Sequence, residues 1–156
     1  MTATKTTIKK RDGTTEELDL EKMHKVVFYA CEDITGVSAS EVEIKSHLQF
    51  YDGIESADIQ ETLIKAAADL ISEETPNYQY VAGRLINYHL RKMVYNQFQP
   101  LPIKVIVEKN VELGCYDAEI LVKYTDEEWK QFDTIVKHER DEEMTYAAME
   151  QWRGKY

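Results

Sequence analysis

Lys9, Lys10 and Arg11 follow one another on a short stretch flanked by strand formers, Thr6-Thr7-Ile8 before and Thr14-Thr15 after. The Asp12-Gly13 pair between them signals a hairpin and predicts a type I′ turn, with both residues at positive φ. Three adjacent cations repel one another unless an anion or solvent lies between them. The chemistry that suits such a patch is phosphate binding; its ordinary alternative is a solvated turn. Lys22 on a first helix and Lys92 late in a fourth add charge, and Ser56 opens a third helix whose free N-terminal amides and dipole favour an anion. Glu16, Asp19 and Gln60 are polar groups able to read a base edge or a sugar hydroxyl. Spacing alone does not bring these segments together.

The elements that would position them can be read in order. Asp19 caps a helix from Leu20 to about Cys31, with Met23, Val26, Val27 and Ala30 on one apolar face. Ser38-Ala39-Ser40-Glu41 has the form of a capping box and opens a second helix through Val42, Ile44, His47 and Leu48. After a turn at Tyr51-Asp52-Gly53-Ile54, the Ser56 helix buries Ile59, Leu63, Ile64, Ala67, Leu70 and Ile71. Its Ala66-Ala67-Ala68 run lets a neighbour approach closely. A fourth helix runs from about Tyr78 to Gln97, with Val81, Leu85, Tyr88, Leu90 and Met93 inward. The prolines of Gln99-Pro100-Leu101-Pro102 then mark an internal boundary. Beyond it come Ile103 to Leu113, ended by Gly114, then Ala118 to Tyr124, a capping box Thr125-Asp126-Glu127-Glu128 before Trp129, a solvated charge run at Glu139–Glu143, and a last helix from Tyr146 to Trp152. The chain stops at Arg153-Gly154-Lys155-Tyr156 without a cap or tail, which reads as an interruption.

The 156 residues are 43% hydrophobic and 31% charged, ordinary for a globular chain, but carry a formal net charge of −10. That balance argues against a nucleic-acid or anionic-membrane partner, which demands a broad basic face; one small anion needs only a local patch. No apolar run is long enough to span a bilayer and no signal pattern follows Met1, so the expected location is cytosolic. Cys31 and Cys115 are expected to be buried free thiols, and the scattered histidines lack metal spacing. Glu127-Glu128 and Glu142-Glu143 read as helix surface and not as a general acid and base.

Six ordered strings now carry a resemblance: Lys10-Arg11-Asp12-Gly13; Leu20-Glu21-Lys22-Met23; His47-Leu48-Gln49-Phe50-Tyr51-Asp52-Gly53-Ile54; Ile64-Lys65-Ala66-Ala67-Ala68-Asp69-Leu70-Ile71; Pro76-Asn77-Tyr78-Gln79-Tyr80-Val81-Ala82; and Leu90-Arg91-Lys92. Together they resemble the ATP-cone at the N-terminus of the class Ia ribonucleotide reductase large subunit. Gly114-Cys115-Tyr116-Asp117, Lys137-His138-Glu139-Arg140-Asp141 and Thr145-Tyr146-Ala147-Ala148 are similar to the segment joining that cone to the catalytic barrel.

The resemblance implies an α+β, mainly helical fold, a small three-stranded sheet over a four-helix bundle. Residues 1–98 would form the cone and 99–156 a helical segment leading toward the barrel. It implies ATP or dATP as allosteric effector, with Mg²⁺ carried on the phosphates and no metal ligand from the protein. Lys10, Arg11 and Lys92 match the family's phosphate-binding cations, and Ile8, Glu16, Asp19 and Lys22 match residues near the adenine. Ser56 and Gln60 stand where the family has a threonine and a histidine near the sugar and phosphates, and Tyr88 at an aromatic position in the pocket. Asp19 replaces an asparagine, exchanging an amide that donates for a carboxylate that does not.

The family's catalytic cysteines and barrel lie downstream of the matched region, so this chain is not expected to reduce a ribonucleotide alone. The implied partners are the remainder of the large subunit, the small radical-generating subunit, or a second copy of the chain. A degenerate cone serving only assembly is one alternative. A stand-alone nucleotide-sensing regulator is another, but it needs a four-cysteine zinc ribbon that two isolated cysteines do not supply.

Overall fold

The computed structural model describes residues 6–10 and 12–155. Its elements are β1 (Thr7–Lys9), β2 (Thr15–Glu17), α1 (Leu20–Cys31), α2 (Ala39–His47), β3 (Ile54–Glu55), α3 (Ser56–Ala68), α4 (Tyr78–Tyr95), α5 (Ile103–Glu112), α6 (Glu119–Lys123), α7 (Asp126–Ile135), a 3₁₀ helix (His138–Glu143) and α8 (Tyr146–Lys155). The chain divides into two compact units, one comprising residues to Leu90 together with those from Asp141 onward, the other Arg91–Arg140. The expected mainly helical α+β fold with a three-stranded sheet is what the chain adopts.

In the first unit β1 is the central strand, in the order β2-β1-β3. It runs antiparallel to β2, with Ile8 opposite Glu16, and parallel to β3, with Ile8 opposite Ile54 and Lys9 opposite Glu55. Side chains alternate across a strand, so Ile8 and Ile54 enter the core while Lys9 stays in solvent.

The hairpin differs from the type I′ expectation. Gly13 N–H donates to the Lys10 carbonyl at 2.9 Å and Lys10 N–H to the Thr14 carbonyl at 2.7 Å, and Gly13 is at φ +84°. This is a three-residue loop closed by glycine. The Asp12 carboxylate is then free to accept from Thr14 N–H at 2.9 Å and Thr14 Oγ1 at 2.6 Å. On the other side of β1, Gly53 (φ +84°) donates to the Thr7 carbonyl at 2.8 Å, while Asp52 Oδ1 accepts from Thr7 N–H at 2.7 Å and Thr7 Oγ1 at 2.8 Å.

Asp19 caps α1 as expected, accepting from Lys22 N–H at 3.1 Å, and Met23, Val27 and Ala30 form its buried stripe. The capping box at Ser38 does not form, because the Ser38 hydroxyl makes no cap bond. The phenol of Tyr78 takes its place, accepting from Ser38 N–H at 3.0 Å and donating to the Glu41 carboxylate. Burial, and then that carboxylate, push the Tyr78 hydroxyl up to about 12.

The core joins α1, α2, α3 and α4 through Val27, Val42, Ile59, Leu63, Ile64, Tyr78, Val81, Leu85 and Ile86. Ala66 and Ala67 are fully buried, consistent with close helix approach. Ile44 and Leu48, expected inward, are 66% and 85% exposed, since α2 buries only the narrow Val42–Ser46 stripe. Ile71 lies beyond the end of α3 and is also exposed, as is Met93.

The chain returns to this unit after Asp141. Glu142 accepts the Tyr29 hydroxyl on its carboxylate at 2.9 Å and Arg84 Nε on its carbonyl at 3.2 Å, while Arg84 Nη1 reaches the Glu32 carbonyl at 2.6 Å. Gly83 of α4 lies flat against the Met144 backbone, and α8 places Met149 in the common core.

In the second unit, α4 ends at Tyr95, two residues before the expected Gln97, with Asn96 at φ +56° in the left-handed conformation that terminates helices. Asp133 Oδ1 accepts from Ile103 N–H at 2.7 Å at the start of α5, and Lys104 pairs with Asp126 at 2.7 Å. The Thr125–Glu128 capping box forms in full. Tyr124, Trp129 and Phe132 meet edge to edge with ring centres 5.2 to 5.5 Å apart. Trp129 and Met149 are buried, and Trp152 is exposed. Cys31 is half-buried, its thiol pushed up to about 11 by burial, but Cys115 is exposed, against expectation.

Candidate functional site

The parallel pairing of β1 with β3 sets the geometry. Lys9 is the register partner of Glu55, and their side chains pair at 3.6 Å. The residue after β1 is Lys10 and the residue after β3 is Ser56, the first of α3, so the hairpin and the α3 N-terminus follow from the same end of the sheet. Glu55 is the N-cap of α3 and makes no side-chain cap bond, which leaves the first-turn amides without a side-chain acceptor.

Lys10 Nζ lies 2.6 Å from Glu16 Oε2 across the hairpin. The hydrogen bond to Glu16 raises the lysine pKa, so the ammonium is held charged. At the other end of β2 the Asp19 carboxylate is lowered, chiefly by the Lys22 backbone N–H, and Lys22 Nζ approaches it at 3.5 Å. The two ends are separated by three-residue strands, about 10 Å at ~3.3 Å per residue. That is of the order of the distance from a nucleotide's base to its phosphates.

Gln60 stands one turn beyond Ser56 on α3, and its Oε1 is buried with no hydrogen-bond partner. A buried acceptor left unmade costs about 1–3 kcal/mol, a cost that a ligand hydroxyl or amine would remove. Ile8 is 8% exposed and belongs to the core beneath the sheet. Tyr88 is half-buried on α4, its hydroxyl raised by burial. Lys92 lies in the last turn of α4, within the second unit, and Arg11 lies outside the described residues.

The structure thus brings together Lys10 with Glu16, and Asp19 with Lys22, while Ser56 follows β3 at the end of the sheet where Lys10 follows β1. A separate groove of about 490 Å³ between α1 and α2, lined by Leu20, Met23, His24, Lys25, Glu43 and His47, includes none of these residues. Among the described residues no cluster of three histidine, cysteine or acidic side chains could hold a metal ion. No described helix is long and apolar enough to cross a membrane.

The family model described as the ATP cone domain fits residues 6–93, and the chain belongs to that family. Among its relatives it is 53% identical over 149 residues to ribonucleoside-diphosphate reductase 1 subunit alpha of Escherichia coli (strain K12), covering 96% of this chain and 20% of that protein. It is 49% identical over 149 residues to the subunit alpha of Haemophilus influenzae, again 96% and 20%, and 40% identical over 149 residues to that of Enterobacteria phage T4, covering 94% and 19%. The chain spans about a fifth of the length of these relatives.

Proposed function

We propose that this chain is an allosteric nucleotide-binding region of a ribonucleoside-diphosphate reductase large subunit, taking ATP or dATP with Mg²⁺. The observation that supports the reading is the parallel register of Lys9 with Glu55, from which Lys10 and the uncapped N-terminus of α3 continue at the same end of the sheet. Cations and free amides at one edge suit a triphosphate, and Mg²⁺ on the phosphates offsets the charge that remains.

In this reading Lys10 exchanges its Glu16 partner for phosphate, Ser56 adds a hydroxyl, and Gln60 takes a sugar hydroxyl. Ile8, Glu16, Asp19 and Lys22 approach the base, with Tyr88 as an aromatic wall. Arg11 and Lys92 are proposed as further cations on the resemblance alone. No catalytic residue is assigned to the chain. Its partners in this reading are the rest of a large subunit, the small radical-generating subunit and a second copy of itself, and its location is cytoplasmic.

Calorimetric titration of the folded chain with ATP and with dATP, each with Mg²⁺, tests the reading. Saturable heat with at least one of them is the expected result. Absence of heat with both removes the proposal.

A further inference from the structure

Glu61 follows Gln60 directly on α3, and its carboxylate is shared. Arg153 Nη1 of α8 donates to Glu61 Oε1 at 2.7 Å, and His89 Nε2 of α4 lies 3.5 Å from the same oxygen. The remaining nitrogens of Arg153 are taken by Glu150 on its own helix, Nη2 at 2.6 Å and Nε at 3.0 Å. The guanidinium is therefore a planar fork fixed on two sides, and its side chain is 22% exposed. One carboxylate joins three helices: α3, which carries Ser56 and Gln60; α4, which carries Tyr88; and α8.

Consecutive residues on a helix point about 100° apart. Anchoring Glu61 to α8 therefore fixes the rotation of α3 about its own axis, and with it the direction in which the buried, partnerless Gln60 Oε1 faces. Met149 holds α8 in the same core, and the Glu61 side chain that Arg153 reaches is 46% exposed. We propose that Arg153 is a positioning residue for the nucleotide site, acting through Glu61, and that occupancy of the site is coupled through this pair to the docking of α8. This rests on the site reading above. Coupling between two sites is reciprocal in binding free energy: if Arg153 orients α3 for the ligand, the ligand tightens α8.

The test uses the full chain, titrated calorimetrically with ATP and Mg²⁺, alongside hydrogen exchange of the α8 amides with and without saturating ATP. In the wild type, ATP slows α8 exchange. Arg153→Gln weakens ATP binding by about 5- to 30-fold, within the usual span of such couplings, and abolishes the slowing. Arg153→Lys recovers part of both, and Arg153→Gln combined with Glu61→Gln is no weaker than either single variant. Glu61→Gln leaves the Arg153–Glu150 pair intact and provides the same readouts if Arg153→Gln does not fold. Nucleotide heat in the wild type with unaltered α8 exchange overturns the coupling alone, as does a variant that melts earlier yet binds ATP within twofold of wild type. No heat in the wild type overturns the coupling together with the site.

Discussion

A β-carbon built on Gly83 would stand 2.1 Å from the carbonyl oxygen of Met144, so α4 and the strand of chain entering α8 meet backbone to backbone. The obstacle is main chain, with no flexible side chain to swing aside. Gly83→Ala is therefore expected to destabilise the fold by about 1–3 kcal/mol, the usual cost of overpacking, despite alanine's better helix propensity. Urea unfolding of the two proteins measures it, and an alanine variant as stable as wild type would show that Met144 moves away freely.

Tyr78 holds the N-terminus of α2 through its hydroxyl, and Tyr78→Phe leaves Ser38 N–H without its acceptor. A loss of about 1–2 kcal/mol is expected, read as an earlier urea midpoint with unchanged slope.

The same hydroxyl predicts a dependence on alkali. Its pKa rises from about 10 in the unfolded chain to about 12 in the fold. The folded state therefore holds the proton longer, and the stability this contributes is fully present below pH 10 and falls away between pH 10 and 12. Subtracting the stability profile of Tyr78→Phe from that of wild type isolates this fall; parallel profiles across that window would contradict it.

Gln60 separates stability from binding. Gln60→Leu removes a buried acceptor that has no partner in the folded chain, so the variant is expected to be at least as stable as wild type while binding ATP several-fold more weakly. Thermal melting and calorimetry read the two effects independently.

Lys10 and Glu16 compete with the ligand for each other. Lys10→Ala is expected to weaken ATP by roughly 10- to 100-fold, the scale of one charge-assisted contact. Glu16→Gln frees the ammonium but also alters a residue proposed near the base, so a smaller change in affinity is expected. Titration of both variants with ATP and Mg²⁺ gives the comparison.

Features of the fold that are local in sequence were legible in it. The Asp19 cap on α1 and the Thr125–Glu128 box on α7 depend on residues three apart, and both form as read. The Ser38 box has the same spelling and fails, because a phenol 40 residues away inserts between its ends. No local pattern announces that, nor the need for glycine at position 83. The hairpin was visible from Asp12-Gly13, but its loop length depends on how Lys10 pairs with Thr14. At the site, residue types and the family likeness singled out Lys10, Glu16 and Gln60. The Arg153–Glu61 contact spans 92 residues and left no trace in spacing. Ile44 and Leu48 looked inward because apolar periodicity does not show how wide a stripe the neighbouring helices can cover.

Met149 fills part of the interior shared by α1 to α4, although the stretch that the family model matches ends at residue 93. A fragment trimmed to that stretch would carry a void where the methionine belongs, forfeiting about 1.5–3 kcal/mol of burial, and would strip Tyr29 and Arg84 of their Glu142 anchor. The last helix thus completes an interior that the matched stretch leaves open.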